Sequence, residues 1–310
     1  MTALICGSMA FDTVMTFEGR FRDHILADRI HVLNVSFLTP SLRRNFGGCA
    51  GNIAYNLALL GGTGLIMATV GHDFAPYAEW LDRWGVARTH VRRLEQAFTA
   101  QAFITTDMDN NQITAFHPGA MNESHLNTVG EASGVKLGIV APDGRRGMIE
   151  HAAQFGDGGI PFLFDPGQGL PMFDGAELRG FIERASWVAV NDYEASLLAQ
   201  RTGWSLEEIA GRVRALIVTR GAEGSWIFAD GRRLEIPVAP PEQVVDPTGC
   251  GDAYRAGLLF GIERGLDWES TGRVAALLAS IKLARHGTQQ HRCSPGEFRD
   301  RFSAAFGYAL

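Results

Sequence analysis

Short, largely apolar runs recur along this chain, at 3–7, 65–70, 137–141, 162–165, 187–190 and 216–219, with helix-length segments between several of them. A run with no polar alternation suits a strand covered on both faces, and strands separated by helices imply βαβ units. The expected fold class is therefore α/β, with a mostly parallel central sheet and helices on both of its faces. Two regions break the pattern. Residues 30–38, and 99–106 with 113–117 across the polar turn 107–112, read as strands of a small separate sheet, the last two forming a hairpin with a longer loop. A further strand is expected at 225–228, after a turn that begins at Thr219. No repeat, low-complexity tract or Pro/Ser-rich linker divides the chain. One domain over residues 1–310 is expected, with the small-sheet strands inserted at about 13–45 and 97–121.

Length and composition agree with this picture: 310 residues that are 46% hydrophobic can bury a sizeable core. The net charge of −6, with basic pairs only at Arg43-Arg44, Arg92-Arg93, Arg145-Arg146 and Arg232-Arg233, argues against a nucleic-acid partner. Small anionic ligands remain compatible with it. The first residues lack the charged start and long apolar stretch of a signal peptide, and no apolar run is long enough to span a bilayer. A cytoplasmic protein without a membrane partner is expected. Cys6, Cys49, Cys250 and Cys293 are isolated, which suggests neither a disulfide framework nor a zinc site.

The segment Asp246-Pro247-Thr248-Gly249-Cys250-Gly251-Asp252 precedes a helix-compatible run, Ala253 to Phe260. Free N–H groups and the positive end of a helix dipole favour an anion there, and glycines let a phosphate approach the backbone. A carboxylate beside such a hole suits phosphoryl transfer, with Asp252 accepting a proton from the attacking hydroxyl. A Gly-rich turn capped by an aspartate would look the same on spacing alone. There is no G-x-x-x-x-G-K-[ST] segment, so a P-loop is not indicated.

This segment resembles the Asp-Thr-x-Gly-Ala-Gly-Asp signature of the ribokinase, or PfkB, family of sugar and nucleoside kinases, with Pro247-Thr248 and Cys250 as departures. About 200 residues upstream, Phe46-Gly47-Gly48-Cys49-Ala50-Gly51-Asn52 resembles the family's Gly-Gly-x-x-x-Asn stretch, which holds sugar hydroxyls. Two matches in the expected order are more specific than either alone. The resemblance implies a ribokinase-like fold whose small β-sheet is a lid over the substrate. It implies Asp252 as the base, with the backbone of Gly249, Cys250 and Gly251 as the anion hole. Cys250 reads as a small buried filler, although a thiol at a helix start could also be reactive.

For the substrate, the resemblance implies Asp12, Gly47, Gly48 and Asn52 on the sugar hydroxyls, with Asp12 expected just beyond the first strand, where open sheets bind ligands. Asn52 would also suit a helix N-cap. Asn191 and Glu194 match an Asn-x-x-Glu motif linked to magnesium and phosphate positioning, with Glu194 acting on magnesium through water. Thr219, Gly221 and Gly224 match a nucleotide loop. Phe103 and Phe116, on expected lid strands, are of a type that stacks on a nucleobase, although each also suits ordinary strand core. Gln168 follows a strand end within reach of a ribose or base, and His286-Gly287-Thr288-Gln289-Gln290 resembles an ending found in bacterial adenosine and nucleoside kinases of the family.

The expected function is thus an ATP-dependent nucleoside kinase, adenosine kinase-like, that phosphorylates the ribose 5′-hydroxyl with magnesium. A sugar kinase of the ribokinase or fructokinase type is the alternative, and a non-catalytic nucleoside-binding sensor a third reading. The resemblance further implies help from potassium, and it leaves a homodimer open.

Overall fold

The apolar runs form strands because alternate side chains enter two different cores, one on each face of the same sheet. Ala3 and Ile5 of β1 (Thr2–Cys6) point into one core, and Leu4 and Cys6 into the other. Trp187 and Ala189 are divided in the same way from Val188 and Val190. The structure, a computed structural model, describes residues 2–25 and 34–310.

The chain continues as β2 (Ala10–Thr16), β3 (Ser41–Gly47), α1 (Cys49–Leu59), β4 (Thr63–Gly71), α2 (Ala75–Arg83), β5 (His90–Leu94), β6 (Ala100–Thr106), β7 (Gln112–His117), β8 (Leu137–Val140) and α3 (Arg145–Asp157). After these come β9 (Phe162–Phe164), α4 (Gly175–Arg184), β10 (Trp187–Asn191), α5 (Asp192–Thr202), α6 (Leu206–Ala210), β11 (Ala215–Thr219), β12 (Ser225–Ala229), β13 (Arg232–Ile236), α7 (Cys250–Glu263), α8 (Trp268–Leu283) and α9 (Pro295–Phe306). Among the described residues, the large sheet runs β13-β12-β11-β10-β9-β8-β1-β4-β5, parallel from β11 to β5, with an antiparallel hairpin at the other edge. Helices α1, α2, α7, α8 and α9 pack on one face and α3 to α6 on the other. No helix among the described residues is long and apolar enough to cross a membrane.

A second sheet, β3-β2-β6-β7, stands apart from the large one. Its hairpin β6–β7 agrees with the expected strands. Asp107 closes the turn by accepting from the amides of Phe21, Asp109 and Asn111. The strand expected at 30–38 needs correction. Residues 30–33 lie outside the described residues, 34–38 carry no strand, and the strand begins instead at Ser41. Phe37 spends its apolar surface in a cluster with Phe17 and Phe21. The true strand is exposed and carries Arg43 and Arg44, so it lacks a hydrophobic signal.

Candidate active site

Two helix starts meet across the carboxyl ends of the parallel strands. At the first, Gly48 adopts φ +84, and a Cβ there would fall 2.6 Å from both Ala10 N and Ser8 O, so glycine is required. The cap of α1 comes from outside the helix. Ser8 Oγ accepts from the Cys49 N–H at 3.2 Å, and Ser8 O accepts from Ala50 at 2.9 Å. Asn52 therefore lies inside α1 and is no N-cap, which frees its side chain for longer-range work.

At the second start, Gly249 caps α7 with φ +80, and a Cβ there would lie 2.9 Å from Thr288 Cγ2. Asp246 ties the preceding loop together, accepting from Thr248 N at 2.9 Å and Gly287 N at 2.8 Å. The expected anion hole needs one correction: the Cys250 N–H donates to Pro247 O at 3.1 Å, closing a turn. The amides of Gly249, Gly251 and Asp252 have no acceptor among the described residues. A Cβ at Gly251 would meet nothing within 4 Å, so an anion can approach there. The Cys250 sulfur turns inward toward Ala279 O, and burial pushes its thiol up to about 11, which suits a filler and not a reactive thiolate.

Asp252 stands just inside α7, and the Asn52 Nδ2 amide donates to its Oδ2 at 2.7 Å. Asn52 Oδ1 in turn accepts from Gln289 Nε2 at 2.9 Å, and Gln289 Oε1 accepts from Trp80 Nε1 at 2.8 Å. The two sequence motifs are thus joined by a fixed amide chain. Burial pushes the Asp252 carboxyl up to about 7; the Asn52 bond opposes this, nearby Asp165 adds to it, and Arg255 counters it. One turn further along α7, Arg255 pairs with Asp165, which follows β9, at 3.1 Å, with side chains only 5% and 7% exposed. A cation so close to Asp252 favours its ionised form.

Asp12 is placed differently from expectation. It sits within β2 of the small sheet, paired with Asn45 and Ala102, and not just beyond β1. Its carboxylate lies where a Gly47 side chain would be: a Cβ there would come within 2.3 Å of Asp12 Oδ2. Burial, and then the Asp246 charge, push its carboxyl up to about 6. A Cβ at Gly287 would be 3.7 Å from the Asn45 side chain, so this face of the sheet looks toward the α7 start. Phe116 pairs with Ala102 and shares that face, whereas Phe103 pairs with Thr13 and Ala115 on the other. The two rings, 40% and 50% exposed for Phe103 and Phe116, therefore cannot sandwich one base.

Of the residues expected to hold the nucleotide, Asn191 and Thr219 end adjacent strands in register. Asn191 and Glu194 form a reciprocal capping box on α5, with side chains accepting at 2.7 and 2.8 Å, and burial raises the Glu194 carboxyl above its ordinary value. Gly221 and Gly224 shape the β11–β12 turn with φ +53 and +82; a Cβ at Gly224 would strike Ile236 O. Gln168 is exposed in a 3-10 turn at Gly167–Met172, and no contact links it to Asp252 or Asp12. Sequence reasoning missed Asp165, Arg255 and Trp80 and gave Gln289 no role. The one available signal was an arginine standing in the otherwise apolar stretch of α7.

A model of the pfkB family of carbohydrate kinases matches residues 13–295. The nucleoside kinase of Methanocaldococcus jannaschii is 33% identical over 264 residues, covering 83% of this chain and 85% of that protein. The structure of Burkholderia thailandensis nucleoside kinase in complex with inosine superposes with a TM-score of 0.90 at 55% identity, covering 99% of each chain. The same enzyme in complex with ADP-inosine gives a TM-score of 0.88 at 56% identity, covering 99% of this chain and 97% of that one.

Proposed function

This chain belongs to the pfkB family of carbohydrate kinases, and on that footing we propose that it is an ATP-dependent nucleoside kinase acting on the ribose 5′-hydroxyl of a purine ribonucleoside. One observation carries the reading. The Asn52 amide holds the Asp252 carboxylate at 2.7 Å across 200 residues of sequence, beside the open amide of Gly251. A base poised near neutral pH and a preorganised set of N–H donors are what transfer of a phosphoryl group to a hydroxyl requires.

In this reading Asp252 accepts the proton of the 5′-hydroxyl as it attacks. The amides of Gly249, Gly251 and Asp252, at the positive end of α7, hold the charge that spreads over the transferring group. Asn52 acts mainly by fixing Asp252, since Gln289 and Asp252 already engage its amide. Asp12 takes the vicinal ribose hydroxyls, and Phe116 lies on the base side. A relative solved with inosine and with ADP-inosine supports a nucleoside acceptor and a nucleotide donor.

Asn191, Glu194, Thr219, Gly221 and Gly224 form the nucleotide side. Magnesium fits there: Glu194 uses only Oε2 in its capping box, and this ion keeps most of its waters and takes few carboxylates. Bound with the phosphates, it would neutralise part of their charge. The partners are small molecules and the setting the cytoplasm. The test is a panel of inosine, adenosine, guanosine, ribose and fructose with Mg-ATP, products being assigned by NMR. Turnover of nucleosides to 5′-monophosphates is expected. Turnover of a free sugar with no nucleoside product would replace the reading by a sugar kinase, and binding without turnover by a sensor.

A further inference from the structure

Lys282, near the end of α8, has no exposed surface, although lysine is seldom buried completely. Its Nζ donates to the carbonyl oxygens of Asp246 at 2.6 Å and Arg285 at 3.3 Å, and stands 3.9 Å from Asp246 Oδ1. Backbone carbonyls and a carboxylate converging on one buried positive centre are the surroundings a potassium ion takes when it sheds its water. Here a tethered ammonium, a compact point charge with three donors, takes that place. A second cation among the same oxygens would face the ammonium directly, with no intervening solvent to screen the repulsion. Potassium, implied by the family resemblance, therefore does not fit at this loop.

The position matters because of what the clamp holds. The Asp246 carboxylate that faces the ammonium also binds the amides of Thr248 and Gly287. Next to Gly287, Thr288 packs under Gly249, and Gln289 orients Asn52 and through it Asp252. The ammonium thus sits where the anion-hole loop and the 285–289 segment are joined. Burial draws its pKa down, and the Asp246 carboxylate works against that shift.

We propose that Lys282 is a built-in cation that stands in for potassium in this chain and positions the anion-hole loop, so that phosphoryl transfer needs no monovalent ion. The role in transfer rests on the kinase reading above; the structural role does not. Two measurements on the full chain separate them. The first is the melting temperature in potassium, sodium and tetramethylammonium chloride at equal ionic strength. Wild type should melt alike in all three. Lys282→Ala should melt lower, and recover part of the loss in potassium but not in tetramethylammonium.

The second is turnover of inosine with Mg-ATP in the same salts. Wild-type kcat should change by less than about twofold, while Lys282→Met should lose about tenfold or more in kcat with its nucleoside KM nearly unchanged, since displaced donors weaken the transition state and leave nucleoside binding intact. Wild type whose melting point and kcat both rise in potassium would overturn the proposal, as would wild-type kcat in Lys282→Met. Should Lys282→Met or Lys282→Ala fail to fold, the wild-type comparison decides alone. If no acceptor is phosphorylated at all, the kinase reading fails, and the melting data still decide the cation question.

Discussion

Burial pushes the Asp252 carboxyl up to about 7, so its proton is still held in the range where many other carboxylates are already ionised. A base must be deprotonated to accept a proton. kcat/KM for the nucleoside should therefore rise with pH and level off above about 7, with the limb reporting Asp252 in the free enzyme. Asp252→Asn should lower kcat by about 10²–10⁴-fold while keeping nucleoside affinity, and should abolish that limb. Near-normal turnover in the folded variant would remove Asp252 from the chemistry. In the proposed reading, Asp12 governs selectivity. A buried carboxylate built to accept from ribose hydroxyls is left unpaired by a 2′-deoxynucleoside, at a cost of about 1–3 kcal/mol. That penalty should exceed the differences among purine bases and should shrink in Asp12→Ala. Equal kcat/KM for inosine and 2′-deoxyinosine in the wild type would remove Asp12 from the ribose.

At the scale of elements, the start of α7 separates two glycines with different duties. Gly249 has φ +80 and lies against Thr288, so a methyl group there meets both a strained backbone and a steric clash. Gly249→Ala should cost about 1–3 kcal/mol in stability, read from denaturant unfolding. Gly251 has ordinary backbone dihedrals and open space where its Cβ would be. Gly251→Ala should stay within about 0.5 kcal/mol of wild type yet lose turnover, because the methyl group occupies the approach to the amide. Wild-type turnover in the folded Gly251→Ala variant would mean that the open space at Gly251 serves no ligand. Among the strands of the large sheet, the central ones were legible through their burial. The runs at β1, β8, β9, β10 and β11 bury both faces, but β5 and β13 are edge strands carrying Arg92, Arg93, Arg232 and Arg233 and left no hydrophobic trace.

Across the whole molecule, the small sheet is built from residues 10–16, 41–47 and 100–117, and Asp12 belongs to it while Asp252 lies at the start of α7. In the proposed reading, a nucleoside whose vicinal hydroxyls are held by Asp12 and whose 5′-hydroxyl is deprotonated by Asp252 draws the two parts together and excludes water. Saturation with inosine and an unreactive ATP analogue should slow hydrogen exchange in β2, β3, β6 and β7 more than in the central strands. Unchanged exchange there would argue against a lid. Two features were determined by the sequence alone, because each is a local property of consecutive residues. One is the parallel sheet, written in short, largely apolar runs; the other is the glycine-flanked helix start of α7 with its carboxylate, written in Gly249, Gly251 and Asp252. The rest depended on partners far apart in the chain. The Asn52–Asp252 amide bond, the buried Asp165–Arg255 pair, the Lys282 clamp and the opposite faces of Phe103 and Phe116 were decided by tertiary structure. Strand register and helix docking set those distances, and a shift of one residue in β7 would turn Phe116 away from the face that carries Asp12.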